Sequence, residues 1–217
     1  MAIAVKICGI NSEAAMAAAV SHGAAYVGLM FYPHSPRFLG LAEAAELAAL
    51  VPAGVRRVGV FVDAPEDVIE DTLEAVPLEA LQFHGHETTD QITSARARFG
   101  LPVIRAVKLA GRDDLAAAAA FEDAADMILF DAKPPSGMAY ALPGGNALSF
   151  DWDLLAGYRG RKPWILSGGL RAQNLGEAVA VTGAHMVDVS SGVETAPGVK
   201  DPELIAAFLA AARAIDG

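Results

Sequence analysis

The chain has 217 residues, of which 53% are hydrophobic and one is cysteine, and its formal net charge is −10. A chain of this size and composition can bury one sizeable hydrophobic core, which excludes an intrinsically disordered protein and a small disulfide-stapled one. No apolar run reaches the length of a membrane span and no secretory signal pattern opens the chain, so we expect a cytoplasmic protein. Its negative charge repels nucleic acid and anionic lipid, so we expect neither a nucleic-acid nor a membrane partner.

Apolar runs rich in Val, Ile and Phe alternate along the chain with Ala-, Leu- and Glu-rich stretches of helical period. This alternation is typical of βα units around a parallel sheet, whose strands are buried on both faces. The apolar runs predict eight strands: Ala2–Ile7, Ala25–Met30, Arg57–Val62, Ala80–Phe83, Val103–Val107, Met127–Asp131, Pro163–Leu166 and Met186–Val189.

The helical stretches lie between and after these strands. Ser12 and Asp201 are expected as N-caps, since Ser12 precedes an Ala-rich run and Asp201 precedes a proline in the first helical turn. The predicted helices are Ser12–Ser21, Leu41–Leu50, Glu66–Ala75, Thr89–Arg98, Asp113–Ala119, Asp153–Tyr158, Ala172–Val181 and Pro202–Ile215.

Eight βα units in 217 residues are close to the smallest size of a (β/α)8 barrel, whereas a doubly wound sheet usually has about five to seven strands. We therefore predict an α/β fold, a single-domain (β/α)8 TIM barrel over residues 1–217, because no composition shift or linker marks a second domain. The second and sixth units are longer than the others. Their additional residues follow Met30 and Asp131, at the carboxyl ends of strands, where such barrels place their active sites.

The only cysteine, Cys8, ends the first predicted strand, two residues after Lys6. Strand alternation places Lys6 and Cys8 on one face, and a lysine inside a barrel is too costly to be simple packing. An inward thiol beside a buried cation is expected to have a lowered pKa, so that it could act as a base or a nucleophile. The simpler alternative is a buried apolar cysteine, which is the commoner role of a lone Cys.

Asp131 ends the sixth predicted strand after four apolar residues. The loop that follows, Ala132–Phe150, contains prolines and glycines and no obvious element, and long insertions of this kind usually cover active sites. Asp131 is therefore a candidate acid or base. The alternative is a cap or turn residue for the loop.

Arg37 is the one arginine in the aromatic and proline-containing loop Phe31–Gly40, which follows the second strand. Isolated loop arginines are usually solvated, but two prolines stiffen this loop. A fixed guanidinium beside Phe31 or Phe38 suits an aromatic carboxylate, by paired hydrogen bonds and by stacking.

Small residues follow the seventh and eighth strands, in Ser167–Gly169 and Ser190–Gly192. In (β/α)8 barrels the backbone N–H groups after these two strands commonly bind a phosphate. Glycine pairs also form ordinary turns, so the prediction of a phosphate site depends on the coincidence of the two motifs.

Other polar residues near strand ends have simpler explanations. His84 and His86 could supply two metal ligands, but no third His or Cys lies at a matching strand end, so no metal site is predicted. His84 is equally compatible with a structural, hydrogen-bonded histidine. Lys108 and Lys133 could form Schiff bases as in barrel aldolases, although lysines near strand ends are more often solvated.

Six motifs stand in order along the chain: Lys6-Ile-Cys-Gly-Ile10, Ser35-Pro-Arg37, Leu81-Gln-Phe-His-Gly85, Leu129-Phe-Asp131, Leu166-Ser-Gly-Gly-Leu170 with Asn174, and Asp188-Val-Ser-Ser-Gly-Val-Glu194. Together they resemble the phosphoribosylanthranilate isomerases of tryptophan biosynthesis, from residue 3 to the final helix. The first and last motifs are specific to that family, whereas the glycine pair is shared among phosphate-binding barrels. One mild departure is Phe83, where the family would have leucine, and this exchange concerns only local packing.

The resemblance implies an Amadori rearrangement of N-(5-phosphoribosyl)anthranilate to 1-(2-carboxyphenylamino)-1-deoxyribulose 5-phosphate. In this reaction Asp131 protonates the ring oxygen, so that the aminosugar opens to a Schiff base, and Cys8 then removes the C2 proton. No cofactor is needed, because the Schiff base nitrogen is itself the electron sink.

The resemblance also implies where the phosphorylated small-molecule substrate lies. Its carboxylate is expected on Arg37, and His84 and Asp188 are expected beside it. The phosphate is expected on backbone groups around Gly168, Gly169, Ser191 and Gly192. A monomer and a homodimer are both compatible with the sequence.

Two alternatives remain open. One is another phosphate-binding barrel isomerase or synthase of histidine or tryptophan biosynthesis, although the histidine isomerase of similar chemistry uses an aspartate base on the first strand, where this chain has Cys8. The other is a noncatalytic barrel that binds a phosphometabolite, against which the presence of both Cys8 and Asp131 argues.

Overall fold

The structure, a computed structural model, describes residues 3–133, 144–145 and 149–215. Its centre is a closed barrel of eight parallel strands, each hydrogen-bonded to the next in chain order. The strands are β1 (Ala4–Cys8), β2 (Tyr26–Met30), β3 (Arg56–Phe61), β4 (Ala80–Phe83), β5 (Val103–Leu109), β6 (Met127–Ala132), β7 (Trp164–Leu166) and β8 (Met186–Val189).

The first and last of these strands pair with each other and close the barrel. Lys6 on β1 has two register partners, Tyr26 on β2 and Asp188 on β8. The predicted (β/α)8 barrel is thereby confirmed, and the predicted strands coincide with the observed ones except for small shifts at their ends.

Helices surround the barrel. Among the described residues, none of them is long and apolar enough to cross a membrane. The α-helices are α1 (Glu13–Ser21), α2 (Leu41–Ala49), α3 (Glu66–Ala75), α4 (Thr89–Phe99), α5 (Arg112–Ala118), α6 (Leu175–Thr182) and α7 (Pro202–Ala214).

Both predicted N-caps are present. The Ser12 side chain accepts the N–H of Ala15 at 3.3 Å, and the Asp201 side chain accepts the N–H groups of Glu203 and Leu204. These bonds satisfy amide groups that the first turn of a helix leaves without partners.

The predicted helix Asp153–Tyr158 is wrong. Residues Trp152–Leu155 form a short 3-10 helix instead, which begins where the Asp151 side chain accepts the N–H of Asp153. Gly157 follows it with a φ of +72°, a left-handed conformation that ends a helix. The stretch before this glycine is too short for an α-helix of ordinary length.

One element has no counterpart in the predicted set. After β8 and a 3-10 turn, the chain forms an antiparallel pair of short strands, β9 (Glu194–Ala196) and β10 (Val199–Lys200), before α7 begins. The two strands are joined through Gly198, whose φ of +81° favours glycine. This hairpin lies outside the barrel sheet.

The interior of the barrel changes from apolar to polar along its axis. Buried apolar side chains on alternating positions of the strands fill the lower part, and the inward positions nearer the carboxyl ends carry Lys6, Gln82, Asp131 and Asp188, all at most 5% exposed. The apolar interior residues are Val58, Ala80, Ile104, Ala106, Leu129 and Ile165. Buried polar groups therefore concentrate at the end of the barrel where active sites are built.

Candidate active site

A pocket lies at the carboxyl ends of the strands. It brings together residues at the carboxyl ends of β1, β2, β3, β4, β6, β7 and β8 and in the loops that follow them, as parallel strands allow. Of the predicted site residues, those that line it are Cys8, Arg37, His84, Asp131, Gly168, Asp188, Ser191 and Gly192.

Gly169 is the predicted site residue that does not line this pocket. Its carbonyl accepts the side-chain amide of Asn174 at 3.0 Å, and Asn174 in turn accepts the N–H of Arg171 at 2.7 Å. This turn delays the start of α6 to Leu175, whereas the sequence predicted a start at Ala172. Gly169 therefore supports the loop that contains Gly168, through its hydrogen bond with Asn174, and does not line the pocket.

Beneath the pocket, Lys6 is completely buried and its Nζ lies 2.7 Å from Oδ1 of Asp188. The other oxygen of Asp188 accepts the Ser167 hydroxyl at 3.1 Å. The Lys6 ammonium also hydrogen-bonds to the Cys8 thiol. A Cβ added to Gly28 would be 3.0 Å from Cys8 Sγ and 3.2 Å from Lys6 Nζ. Glycine at position 28 therefore leaves the space in which the thiol and the ammonium meet.

The expected lowering of the Cys8 pKa is wrong. Burial raises the pKa of the thiol, and the attraction of Lys6, which lowers it, does not overcome this effect. Asp188 adds to the increase, because its charge repels a thiolate. For Lys6 itself, burial lowers the pKa, but Asp188 and Cys8 outweigh burial and raise it, so the ammonium keeps its charge.

Asp131 stands at the end of a chain of hydrogen bonds from β4. Its Oδ2 lies 3.2 Å from Nε2 of His84, and its Oδ1 accepts the N–H of Ala132 at 2.9 Å. His84 Nδ1 lies 3.1 Å from the side-chain amide nitrogen of Gln82. With that amide as the donor, Nδ1 accepts, so the imidazole proton is on Nε2 and points at Asp131. His84 is thus both a pocket residue and a hydrogen-bond partner of Asp131.

Arg37 is buried, with 2% of its surface exposed, and is not the solvated loop residue of the simpler alternative. Its backbone N–H donates to the Ser35 hydroxyl at 3.1 Å. Its side chain passes over Gly9, where an added Cβ would lie 2.5 Å from Cδ of Arg37. Gly9 also has a φ of +74°, so both the backbone conformation and the close approach require glycine there.

The two small-residue loops form another wall. Gly168 has a φ of +89°, and a Cβ there would lie 2.9 Å from the backbone nitrogen of Ala132. A Cβ at Gly192 would collide with the carbonyl oxygen of Leu170. The glycines therefore let the loops after β6, β7 and β8 approach one another, and Gly168 and Gly192 line the pocket.

The predicted loop Ala132–Phe150 lies largely outside the described residues. Of the part that is described, Gly144 and Gly145 line the pocket. A Cβ at Gly144 would lie 2.7 Å from His84 Nε2, and a Cβ at Gly145 would lie 2.5 Å from Arg37 Nη1. This loop therefore reaches the site.

The other candidates for a metal site and for a Schiff-base lysine, apart from His84, do not line the pocket. His86 is exposed and pairs with Asp63, and Lys133 pairs with Asp114 at the surface. Lys108 is outside the pocket lining, and burial lowers the pKa of its amine. Within the described part of the chain, no group of three or more His, Cys, Asp or Glu side chains is arranged to hold a metal ion.

Sequence reasoning gave no role to Glu194 and Lys200. Both are buried, and Glu194 contacts Arg37 and Lys200. Glu194 stands in the last motif, but nothing in the sequence indicated its partners, and Lys200 belongs to no motif.

Comparison with known proteins gives a consistent result. A family model described as N-(5'phosphoribosyl)anthranilate (PRA) isomerase matches residues 5–211. The N-(5'-phosphoribosyl)anthranilate isomerase of Rhodospirillum centenum is 58% identical over 99% of this chain and 100% of its own length. That of Cereibacter sphaeroides is 56% identical over 97% of this chain and 99% of its own length.

Solved structures agree with this. The phosphoribosyl anthranilate isomerase of Thermotoga maritima has a TM-score of 0.87 at 36% identity, covering 98% of this chain and 99% of that one. A structure of such an isomerase in complex with reduced 1-(o-carboxyphenylamino)-1-deoxyribulose 5-phosphate has a TM-score of 0.84 at 35% identity, with the same coverage of both chains. With the barrel and the pocket described above, these matches show that the chain belongs to the N-(5'-phosphoribosyl)anthranilate isomerase family.

Proposed function

We propose that this protein converts N-(5-phosphoribosyl)anthranilate to 1-(2-carboxyphenylamino)-1-deoxyribulose 5-phosphate, an Amadori rearrangement in tryptophan biosynthesis. The observation that carries the proposal is that Cys8 and Asp131 line one pocket together with Arg37 and the glycine loops after β7 and β8. A base, an acid and two places for anions match a substrate that carries both a carboxylate and a phosphate.

In the first step Asp131, in its protonated form, donates its proton to the ring oxygen of the aminosugar. The bond between C1 and that oxygen breaks, and the lone pair of the anthranilate nitrogen forms the C1–N double bond of a Schiff base. His84, 3.2 Å from Oδ2, orients the carboxyl group for this transfer.

In the second step the Cys8 thiolate removes the proton from C2. The electron pair of the C–H bond forms a C1–C2 double bond, and the former C1–N π electrons move to nitrogen. The resulting enolamine tautomerises to the ketone product. By this route no cofactor is required, because the protonated nitrogen accepts the electrons, while buried Lys6 favours the thiolate electrostatically.

Substrate binding divides between two anion sites. The guanidinium of Arg37 binds the anthranilate carboxylate, and backbone N–H groups around Gly168, Ser191 and Gly192 bind the phosphate, with Gly169 supporting that loop. The burial of Arg37 and Gly168 supports this assignment, since backbone amides and an arginine bind anions more strongly away from water. Asp188 lies beside the substrate and holds Lys6.

We further propose that the enzyme is one barrel over residues 1–217 and that it works in the cytoplasm as a monomer or a homodimer. One solved relative, 35% identical, is described as mutually generated monomers of the dimeric enzyme of Thermotoga maritima. That description supports both states within the family.

The test is an assay with N-(5-phosphoribosyl)anthranilate. We expect the fluorescence of the anthranilate group to change with turnover, at a rate proportional to enzyme concentration. A protein that binds the substrate and returns it unchanged would be a noncatalytic binding barrel. A protein that isomerises only the aminosugar of histidine biosynthesis would instead be the rival barrel isomerase.

A further inference from the structure

One side of the Arg37 guanidinium is already occupied inside the protein. Nε and Nη2 of Arg37 donate to Oε1 and Oε2 of Glu194 at 2.7 and 2.8 Å, the two-bond geometry of an arginine–carboxylate pair. Both side chains are only 3% exposed. Nη2 also donates to the carbonyl of Gly145 at 3.2 Å, and a Cβ at this pocket-lining glycine would lie 2.5 Å from Nη1. Gly145 therefore borders the guanidinium on the side of the pocket.

A buried arginine paired with a glutamate has no net charge and attracts an incoming carboxylate only weakly. Lys200 changes this, because its fully buried ammonium contacts Oε1 of Glu194. Burial lowers the pKa of this amine, and the charge and hydrogen bond of Glu194 oppose that effect. The group of Arg37, Glu194 and Lys200 then contains two cations and one anion. Since Arg37 lines the pocket and Lys200 does not, Arg37 presents the excess positive charge to a ligand.

The ionisation of Glu194 agrees with this arrangement. Burial raises the pKa of its carboxyl group, but the hydrogen bonds and charges of Arg37 and Lys200 outweigh burial and lower it. Glu194 therefore stays ionised and keeps both acceptor oxygens directed at its partners.

The β9–β10 hairpin holds these residues in place. Glu194 begins β9, Lys200 ends β10, and the two are register partners. The N–H of Gly198 also donates to Oε2 of Glu194 at 3.3 Å, and Lys200 Nζ donates to the carbonyl of Ser190 at 3.0 Å. A hairpin that contributes nothing to the barrel sheet thus joins the Arg37 side of the pocket to the loop after β8.

We propose that Glu194 and Lys200 are positioning residues for recognition of the substrate carboxylate. Glu194 fixes the orientation of the Arg37 guanidinium, and Lys200 neutralises Glu194 so that Arg37 acts on the ligand with its full charge. This inference depends on the proposed function in one respect, namely that the ligand carries a carboxylate at Arg37.

The experiment compares two ligands that differ only in that carboxylate. They are reduced 1-(o-carboxyphenylamino)-1-deoxyribulose 5-phosphate and the same compound without the carboxyl group. Calorimetric titration gives the ratio of their Kd values for the wild type, Glu194→Gln and Lys200→Met. Because both ligands keep the phosphate, a general loosening of the loop after β8 cancels in the ratio.

We expect the wild type to prefer the carboxylated ligand by more than about tenfold and each variant to lose about tenfold of that preference. In Glu194→Gln an amide N–H group replaces the oxygen that accepts from Nη2. Because two donors cannot form a hydrogen bond with each other, the guanidinium shifts. With the natural substrate, KM should rise while kcat stays within about threefold, since neither residue contacts the reacting atoms.

The matched control is Glu87→Gln, which alters another buried arginine–glutamate pair, with Arg105, outside the pocket lining. It should lose stability and keep the wild-type ratio. If Glu194→Gln does not fold, the ratio of the two Kd values in Lys200→Met alone tests the inference. Wild-type ratios in the folded variants, or a wild type with no preference, would overturn the inference. A wild type that prefers the carboxylated ligand but does not isomerise the substrate would instead refute the proposed function alone.

Discussion

Gly28 on β2 is the register partner of Cys8 on β1, and the absence of a side chain at Gly28 gives the thiol its position. A Cβ at Gly28 would lie 3.0 Å from Sγ of Cys8 and 3.2 Å from Nζ of Lys6, closer than ordinary van der Waals contact. The proposed base and the cation beside it thus share a space that one methyl group would fill.

Gly28→Ala should therefore slow the reaction without unfolding the protein. A displacement of a few tenths of an ångström moves the thiol away from C2, and we expect kcat to fall by about 3- to 30-fold, less than the 10²-fold typical of a 1 Å misplacement. Single-turnover kinetics measure this directly. Gly176→Ala is the matched control, because no atom beyond its chain neighbours and its own helix backbone lies within 4 Å of a Cβ there, and it should keep the wild-type rate. A wild-type kcat in Gly28→Ala would show that the thiol position is unimportant.

Cys8→Ser should nearly abolish turnover, because a hydroxyl is far too weak a base near neutral pH, while its similar size preserves the pocket. Binding of the reduced product analogue should stay within about tenfold of the wild type. Titration of the analogue separates the two effects. A larger loss of affinity would assign Cys8 to the architecture of the pocket instead of the chemistry.

The pH dependence of kcat/KM should reflect the raised pKa of the Cys8 thiol. The base acts as a thiolate, so the requirement for deprotonated Cys8 should have its midpoint above the ordinary thiol range near about 8.5. The wild-type rate also requires protonated Asp131, so the profile should be bell-shaped. Lys6, whose pKa is also raised, stays charged and adds no second transition in this range. The chain has one cysteine, so its thiolate absorbance can be titrated in parallel. A thiolate absorbance with its midpoint below about pH 8 would contradict the expectation.

Asp131→Asn should reduce the chemical step by about 10² to 10⁴, the usual contribution of a general acid, with little change in analogue binding. The amide keeps the shape of the side chain but has no proton to transfer. Asp114→Asn is the control, since Asp114 pairs with Lys133 and accepts the N–H of Ala110 outside the pocket lining. If the single-turnover rate of Asp131→Asn were within a few-fold of the wild type, another group would have to open the ring.

The fold and most of the predicted site residues could be predicted from local sequence patterns, namely the apolar runs and the residues at their ends. Buried parallel strands read as apolar runs, and their carboxyl ends meet at one end of a barrel, so residues such as Cys8 and Asp131 were expected together before any contact was known. The predicted helix Asp153–Tyr158 is wrong because it extends across Gly157, whose left-handed conformation ends the turn.

Long-range contacts account for what local pattern did not reveal. Arg37 and Glu194 are 157 residues apart, and nothing near either position indicates the other. The expected lowering of the Cys8 pKa is wrong because burial of the thiol outweighs the attraction of Lys6, and Asp188 on β8 adds to the increase. Burial and charge pairing of this kind depend on which strands become neighbours.

The ion pair between Lys6 and Asp188 also constrains how the chain folds as it is synthesised. Its partners lie 182 residues apart, so β1 leaves the ribosome long before β8 exists. Until then the Lys6 ammonium has to remain in water, because an unpaired buried charge costs several kcal/mol. Seven strands alone therefore lack both the neighbour that closes the sheet and the anion that lets β1 turn inward. We expect chains that stop short of β8 to keep an open sheet edge at β1.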